Sequence, residues 1–145
     1  ETIIQCQQGE SAFINPGSLI SGFTFEDCQM PIKNGSSPHF EDAFFHGNME
    51  LNQIVLHIED SSPTFTSCAF ANLSVPILRD IILLSNSNAS FTNCEFMHND
   101  VDDKLAEFSL IRSIRNNGNN FIDFTNTIFS NNRGSFIISA SDTSV

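Results

Sequence analysis

Four cysteines are the residues of this chain best suited to covalent or metal chemistry. They are Cys6, Cys28, Cys68 and Cys94. No pair has the Cys-x-x-Cys spacing of a structural zinc site, and we assign all four to one inward-facing position of a repeat described below. Equivalent residues on neighbouring parallel strands lie about 4.8 Å apart, which is within the usual Cα separation of a disulfide. Cys6 could therefore bond Cys28, and Cys68 could bond Cys94. A ladder of reduced, buried thiols is the alternative, and the sequence leaves both open.

Clustered carboxylates are the second group that could do chemistry. Asp100, Asp102 and Asp103 have the short spacing of calcium ligands, but the loop lacks the glycine and the bidentate glutamate of an EF-hand. A solvated acidic loop is the favoured interpretation, and we predict no metal site. Glu26-Asp27 and Glu41-Asp42 could stack if their strands adjoin, although splayed side chains in water are favoured over a shared cation.

Catalytic motifs are missing from the chain. Gly-x-Ser-x-Gly, phosphate-loop and His-Glu-x-x-His sequences do not occur. Polysaccharide cleavage needs paired carboxylates, or a carboxylate with basic residues, along one exposed groove. Basic side chains and histidines recur at no common repeat position; they are Lys33, Arg79, Lys104, Arg112, Arg115 and Arg133, and His39, His46, His57 and His98. We therefore predict a protein that is not an enzyme and needs no cofactor.

Three Asn-x-[Ser/Thr] sequons are candidate glycosylation sites. They begin at Asn34, Asn72 and Asn88, between predicted strands where a glycan has room. Chance is the alternative explanation, because a chain rich in Asn and Ser produces sequons freely.

A repeated hexapeptide organises the elements that carry these residues. Its template is Phe-x-[Asn/Asp/Ser]-[Cys/Thr/Ala]-x-[Phe/Met]. The copies begin at Phe25, Phe40, Phe65, Phe91 and Phe124, and Ile3-Ile4-Gln5-Cys6 is a weaker first copy. Repetition at such intervals is typical of solenoids and arrays. The step from Phe25 to Phe40 is too short for a full coil, so residues 25–64 could form one coil or two.

The template predicts a strand, a sharp corner and a second strand. Residues of a strand alternate between its two faces, yet Phe91, Cys94 and Phe96 should all point inward. A bend at Thr92-Asn93 resolves the conflict, and Asn, Asp and Ser suit it because they bond nearby backbone and tolerate left-handed dihedrals. The corner residues are Asp27, Asp42, Ser67, Asn93 and Asn126. Strand, corner and strand in repetition predict an all-β protein, a parallel β-helix of about five coils.

A second corner carries a resemblance to a known family. Phe45-His46-Gly47-Asn48, Phe96-Met97-His98-Asn99 and Phe129-Ser130-Asn131-Asn132 all read Phe-x-x-Asn. Over roughly residues 20–140 such units, in a Phe- and Asn-rich background, resemble the repeats of chlamydial polymorphic outer-membrane proteins and of related surface proteins of single-celled eukaryotes. The resemblance implies a right-handed β-helix in a secreted or surface-displayed adhesin. The family's Gly-Gly-Ala-[Ile/Leu/Val] tetrapeptide is absent; Arg133-Gly134-Ser135-Phe136-Ile137 comes nearest.

Length, composition and charge limit the classes of protein and of binding partner that remain possible. The chain has 145 residues, a formal net charge of −11, fifteen Phe and neither Trp nor Tyr. Such a surface is a poor partner for nucleic acid or anionic membrane, and we expect no direct membrane insertion. Because no capping helix stands out, we predict that residues 1–145 form one β-helix domain, a segment of a longer solenoid.

These observations predict a non-catalytic extracellular or cell-surface module for adhesion or structural assembly. Its expected partners are other protein subunits, neighbouring β-helix coils or a surface receptor. The alternative function is a fragment of a carbohydrate-active β-helix enzyme, a polysaccharide lyase or hydrolase, because fold alone does not decide function. Carboxylates clustered on one exposed strand face would favour the enzyme.

Overall fold

The computed structural model describes residues 2–6, 17–48, 54–75, 80–101, 109–115, 120–134 and 136–142. Their regular structure consists of strands, and every strand pair is parallel. The prediction of an all-β chain is confirmed.

The strands form three sheets. Sheet A contains β4 (Met30–Lys33), β7 (Leu56–Glu59), β10 (Ile82–Ser85), β14 (Ser109–Arg115) and β17 (Phe136–Asp142). Sheet B contains β2 (Leu19–Ser21), β5 (His39–Glu41), β8 (Thr64–Thr66), β11 (Asn88–Thr92) and β15 (Phe121–Thr125). Sheet C contains β1 (Thr2–Gln5), β3 (Phe23–Glu26), β6 (Phe44–Asn48), β9 (Ala69–Val75), β12 (Glu95–Met97) and β16 (Ile128–Ser130), and β13 (Asp100–Val101) pairs with the end of β9.

From β4 onward the chain visits sheets A, B and C in that order and then begins again. We call one visit to all three sheets a pass. Four passes follow one another, made of β4 to β6, β7 to β9, β10 to β13, and β14 to β16. Each pass lies beside the one before it, because each strand pairs with the strand of the previous pass in the same sheet.

Residues with left-handed backbone dihedrals mark the bends between sheets. Between sheets B and C they are Gly22, Asp42, Ser67, Asn93 and Asn126. A further bend, which we call the bend that leaves sheet C, carries Asp27, Gly47, Asn72, His98 and Asn131, although a few residues after it still pair within that sheet in β6, β9 and β13. Between sheets A and B they are Asn34, Asp60 and Asn86. Asn, Asp and Gly dominate because they enter this region at low cost. The predicted corner is thereby confirmed at Asp42, Ser67, Asn93 and Asn126.

Two columns of phenylalanine form the centre of the core. The column on sheet B contains Phe40, Phe65, Phe91 and Phe124, and the column on sheet C contains Phe25, Phe45, Phe70, Phe96 and Phe129. Successive ring centroids within a column lie 4.6 to 5.3 Å apart, and the rings stack. The two columns meet edge to face, at 5.3 to 6.2 Å. Aliphatic residues of sheet A, such as Leu56 and Ile82, close the same buried cluster.

One predicted copy of the template is out of phase. The shared template predicts that Phe25 belongs to one column with Phe65, Phe91 and Phe124, but its ring stacks on Phe45 in the sheet C column. Asp27 therefore lies at the bend that leaves sheet C, and the chain continues into sheet A, where Met30 pairs with Leu56. The pattern of Phe, any residue and a left-handed residue occurs both at the bend between sheets B and C and at the bend that leaves sheet C. The sequence alone therefore allowed two alignments of the Phe25 copy with the other copies. The short step from Phe25 to Phe40 runs from sheet C through β4 of sheet A to sheet B and is not a complete pass.

The corner at Asn93 supports a first prediction. Asn93 is exposed with φ of 54°, and its Oδ1 accepts a hydrogen bond from Asn126 Nδ2. Asn93→Leu should lower the free energy of unfolding by about 1–2 kcal/mol, because a branched apolar side chain is strained in the left-handed region. Asn93→Gly and Asn93→Asp are the controls and should cost less in a denaturant titration. Equal stability of all three variants would contradict this account.

Candidate functional site

The cysteines do not behave as one set. Cys6 and Cys28 form a disulfide with a Cα separation of 4.9 Å, whereas Cys68 and Cys94 are free and buried. The single repeat position predicted for all four is wrong for the bonded pair. The register places Gln5 beside Glu26, so Cys6 lies level with Asp27, and Cys28 follows the bend that leaves sheet C.

Cys68 and Cys94 lie one above the other after the bend between sheets B and C, as predicted. Cys68 lies between β8 and β9, and Cys94 lies between β11 and β12. Because β8 pairs with β11 and β9 pairs with β12, the two cysteines are neighbours in successive passes. The Cys68 thiol donates to the carbonyl oxygens of Thr66 and Phe40, at 3.3 and 3.5 Å. The hydrogen bond with the Cys94 thiol and burial raise the pKa of Cys68. Cys68 is therefore a protonated, poorly nucleophilic thiol at neutral pH.

The sequon asparagines are exposed at three separate places. Asn34 lies at a bend between strands, as predicted, with φ of 58°. Asn72 was placed between strands but lies within β9, where the strand bends with φ of 55°. Asn88 begins β11, and its Oδ1 accepts the backbone N–H of Phe121 at 2.9 Å. Glycosylation at all three stays a prediction.

The acidic candidates do not converge. Asp100 lies 3.5 Å from Arg133, and Asp102 and Asp103 are outside the described residues. Glu26 pairs with His46 and Glu41 with Thr66, so the two acidic dipeptides lie at different bends and do not stack. Within the described ranges there is no group of three or more His, Cys, Asp or Glu side chains that could hold a metal ion.

Basic side chains are paired where the structure describes them. Lys33 lies 3.0 Å from Glu59, and Arg112 lies 3.9 Å from Asp80. Arg133 pairs with Asp100 in the same way. A neighbouring carboxylate therefore partly neutralises the charge of each of these three basic side chains. Together with the charge of −11, this leaves little to attract an acidic polysaccharide.

A shallow depression opens at the bend that leaves sheet C. Its volume is about 330 Å³, and Glu26, Asp27, His46, Gly47 and Asn72 line it. Asp27 Oδ1 is buried here and has no hydrogen-bond partner among the described residues. It packs against Gly47, whose backbone has φ of 131°. The depression is wide and open to solvent.

Gly47 supports a second prediction. A Cβ atom there would overlap Asp27 Oδ1 and would lie 2.8 Å from Asp27 N. Gly47→Ala should lower the free energy of unfolding by about 1–3 kcal/mol, through overlap and backbone strain together. Gly35→Ala is the control, because Gly35 has φ of 78° and open space around a Cβ. Thermal denaturation of both variants measures the difference, and equal losses would show that the contact with Asp27 is unimportant.

Asparagine side chains form a buried hydrogen-bond ladder that the sequence did not predict. Asn99 accepts the backbone N–H of Leu73 at 3.0 Å and donates to the carbonyl of Phe70 at 2.8 Å. Asn132 accepts the N–H of Asn99 at 3.0 Å and donates to the carbonyl of Phe96 at 2.8 Å. In these two Phe-x-x-Asn units the asparagine therefore follows the left-handed residue of the bend and turns inward.

Buried polar residues elsewhere fill similar roles and were also missed. Asn120 accepts the N–H of Ser87 at 2.9 Å and donates to the carbonyl of Ile114 at 2.8 Å. Asp80 is buried and accepts the N–H of Ser109 at 2.9 Å. Asn120 stands directly before β15 and Asp80 stands two residues before β10, each next to an apolar residue, which is the signal that could have identified them.

Apolar side chains are exposed at the strands that end each sheet. Phe121 on β15 is 64% exposed and Ile128 on β16 is 55% exposed, while Ile137 and Ile138 on β17 are 37% and 43% exposed. No described strand pairs with the outer edge of these three strands. Ile3 and Leu19, the other exposed large hydrophobic residues in the part of the chain that the structure describes, lie on β1 and β2 at the opposite end. We call the surface formed by β15, β16 and β17 the C-terminal end.

The described residues contain no helix of the length and hydropathy that crossing a bilayer requires. Comparison of the chain with protein-family models, with curated proteins and with solved structures finds no match.

Proposed function

We propose that the chain forms a right-handed parallel β-helix of about five coils, in which each pass is one coil. The three parallel sheets, visited in fixed order around one core cluster, support this winding. Right-handedness follows from the strong preference of crossover connections between parallel strands of one sheet.

The module acts in adhesion or structural assembly outside the cell and catalyses no reaction. The observation that carries this proposal is the C-terminal end, where strand edges that pair with no other described strand lie beside exposed apolar side chains. Unpaired edges accept a further β element by augmentation. The resemblance of the Phe-x-x-Asn units to chlamydial polymorphic outer-membrane protein repeats agrees with an adhesin or a surface assembly.

Two observations support an extracellular location. Disulfides such as Cys6–Cys28 persist in oxidising compartments and are rare in the cytosol. The three sequon asparagines are exposed, as acceptors of glycans must be.

Solution mass tests the proposal. Purified residues 1–145, measured by light scattering over a range of concentrations, should self-associate through the exposed edge strands. Ile138→Asp, which places a charge at the C-terminal end, should shift the protein toward monomer. Asn93→Asp adds the same charge at a bend and should leave the mass unchanged. A stable monomer at every concentration would argue against assembly through open ends.

An activity assay tests the alternative. Neutral and acidic polysaccharides incubated with the protein should release no new reducing ends. Turnover that Glu26→Gln abolishes would instead favour a carbohydrate-active enzyme working at the depression beside Asp27.

A further inference from the structure

The depression at the bend that leaves sheet C lies where a column of side chains is interrupted. In chain order the residues of this column are Asp27, Gly47, Asn72, His98 and Asn131. Gly47 contributes no side chain, and the register of β6 with β9 shifts between His46 and Asn48. The missing side chain and the shifted register account for the opening. Local departures from a repeated pattern are typical of functional sites.

Asp27 forms one wall of the depression and is held in place by its neighbours. Its Oδ1 is buried against Gly47 and has no hydrogen-bond partner among the described residues. Cys28 follows Asp27 directly and is bonded to Cys6, so a covalent cross-link restrains the backbone beside the carboxylate. An unpaired buried oxygen costs free energy and calls for an explanation. A bound cation supplies one, because it offsets the charge of the whole carboxylate without contacting the buried oxygen.

Negative charge in the depression is not balanced by the described part of the chain. Glu26 and Asp27 line it, both are half-buried, and no Lys or Arg is among its lining residues in the described ranges. Neither carboxylate forms an ion pair with a described basic side chain. Three other carboxylates do, in the pairs Glu59–Lys33, Asp80–Arg112 and Asp100–Arg133. Because two like charges at close range repel, a cationic ligand is the complement of this surface.

The shape of the lining favours a planar cation. His46 lines the depression, and the Phe44 ring stacks on its imidazole at 4.8 Å with an interplanar angle of 27°. Glu26 pairs with His46 across β3 and β6, so a carboxylate and a flat aromatic pair lie on neighbouring strands. Guanidinium fits both, since it donates paired N–H groups to a carboxylate and stacks on flat rings. A metal ion fits less well, because no described group of three or more His, Cys, Asp or Glu side chains could hold one.

We propose that the depression binds an arginine side chain presented by a partner protein. Its guanidinium pairs with Glu26 and Asp27, stacks on His46, and donates a further N–H to the amide oxygen of Asn72. The inference rests on the proposed function in adhesion or assembly and adds the chemistry of the partner to it. The site lies on the side of the stack of passes, so it is formed whatever pairs with the C-terminal end.

Blocked arginine, N-acetyl-arginine amide, is the probe of this site. It is titrated into isotope-labelled residues 1–145 and followed by NMR. The backbone amides of Glu26, His46 and Asn72 should shift saturably, with a dissociation constant on the order of 1 mM. Blocked citrulline has nearly the same shape without the charge and should produce no saturable shifts. Blocked lysine should bind several-fold more weakly, because an ammonium offers no plane for stacking.

Two variants of the protein locate the site. Glu26→Gln removes one charge of the depression and should weaken arginine binding about tenfold, since charge-assisted hydrogen bonds are about twice as strong as neutral ones. Glu95→Gln is the matched control, because Glu95 is exposed on the same face of sheet C, two passes beyond His46. This variant should leave the affinity unchanged. Circular dichroism reports whether both variants keep their β structure.

Equal binding of arginine and citrulline would overturn the proposal, as would equal loss in the two variants. Lysine that binds as tightly as arginine would overturn the assignment to guanidinium. Saturable shifts of the same amides by a neutral methyl glycoside, with none by arginine, would make the depression a carbohydrate site instead. Absence of saturable shifts at the solubility limit of the probe would also overturn the proposal. The light-scattering experiment tests assembly through the C-terminal end and involves none of these residues, so the two proposals fail separately.

Discussion

Phe91→Ala should lower the free energy of unfolding by about 3–5 kcal/mol, the cost of a large cavity in a close-packed core. Phe91 is fully buried, and its ring lies between those of Phe65 and Phe124. It also meets the edges of Phe70 and Phe96 at 5.9 and 5.5 Å. Alanine removes four aromatic contacts at once, and neighbouring passes cannot collapse into the gap because their strands are held in register by the sheets.

Phe44→Ala is the matched control for this substitution. Phe44 lies on the outer face of sheet C, is partly exposed, and stacks on His46 at 4.8 Å. Its loss should be about 1 kcal/mol, in keeping with partial burial. Chemical denaturation followed by circular dichroism compares the two variants. Similar losses for Phe91 and Phe44 would mean that the stacked columns are not the main source of stability.

Asn99→Leu should cost about 3 kcal/mol, because it leaves the buried N–H of Leu73 and carbonyl of Phe70 without partners. Leucine fits the position in shape, since Leu73 occupies the equivalent place one pass earlier and is buried. The substitution therefore isolates the hydrogen bonds from the packing.

Amide hydrogen exchange measures this effect at individual residues. The N–H of Leu73 should lose protection in Asn99→Leu, while the N–H of Asn99 should keep its bond to Asn132. Asn88→Ala is the control, because Asn88 is exposed and makes one such bond, to Phe121. If the Leu73 amide stayed protected in Asn99→Leu, another acceptor would have to satisfy it.

The sequence predicted the corners more reliably than the alignment of the repeats. Left-handed dihedrals at Ser67, Asn93 and Asn126 follow from local chemistry, so the residue types alone identified them. Whether Phe25 belongs to the sheet B column or the sheet C column depends on which sheet the chain enters next, and pairing with strands far away in the sequence fixes that choice. Pairing of Met30 with Leu56 is such a contact.

The candidate site was harder to predict for a related reason. Asn131 and Asn132 are adjacent and of the same type, yet one occupies the left-handed bend and the other turns into the ladder. Only the bend position decides which side chain enters the core. Likewise Cys28 and Cys68 both follow a left-handed residue, but at different bends, and one is bonded while the other is free.

In the asparagine ladder each asparagine binds backbone groups of the pass before its own, and this direction matters for the order in which the chain folds during synthesis. A ribosome releases the chain from its N-terminus, and domains generally fold as units in that order. The groups that Asn99 satisfies, on Phe70 and Leu73, emerge first, and their partner arrives one pass later. Each pass can therefore close onto a surface that is already complete, and no step must wait for a distant C-terminal segment. A chain built in this way can be lengthened by duplicating a pass without redesigning the passes before it.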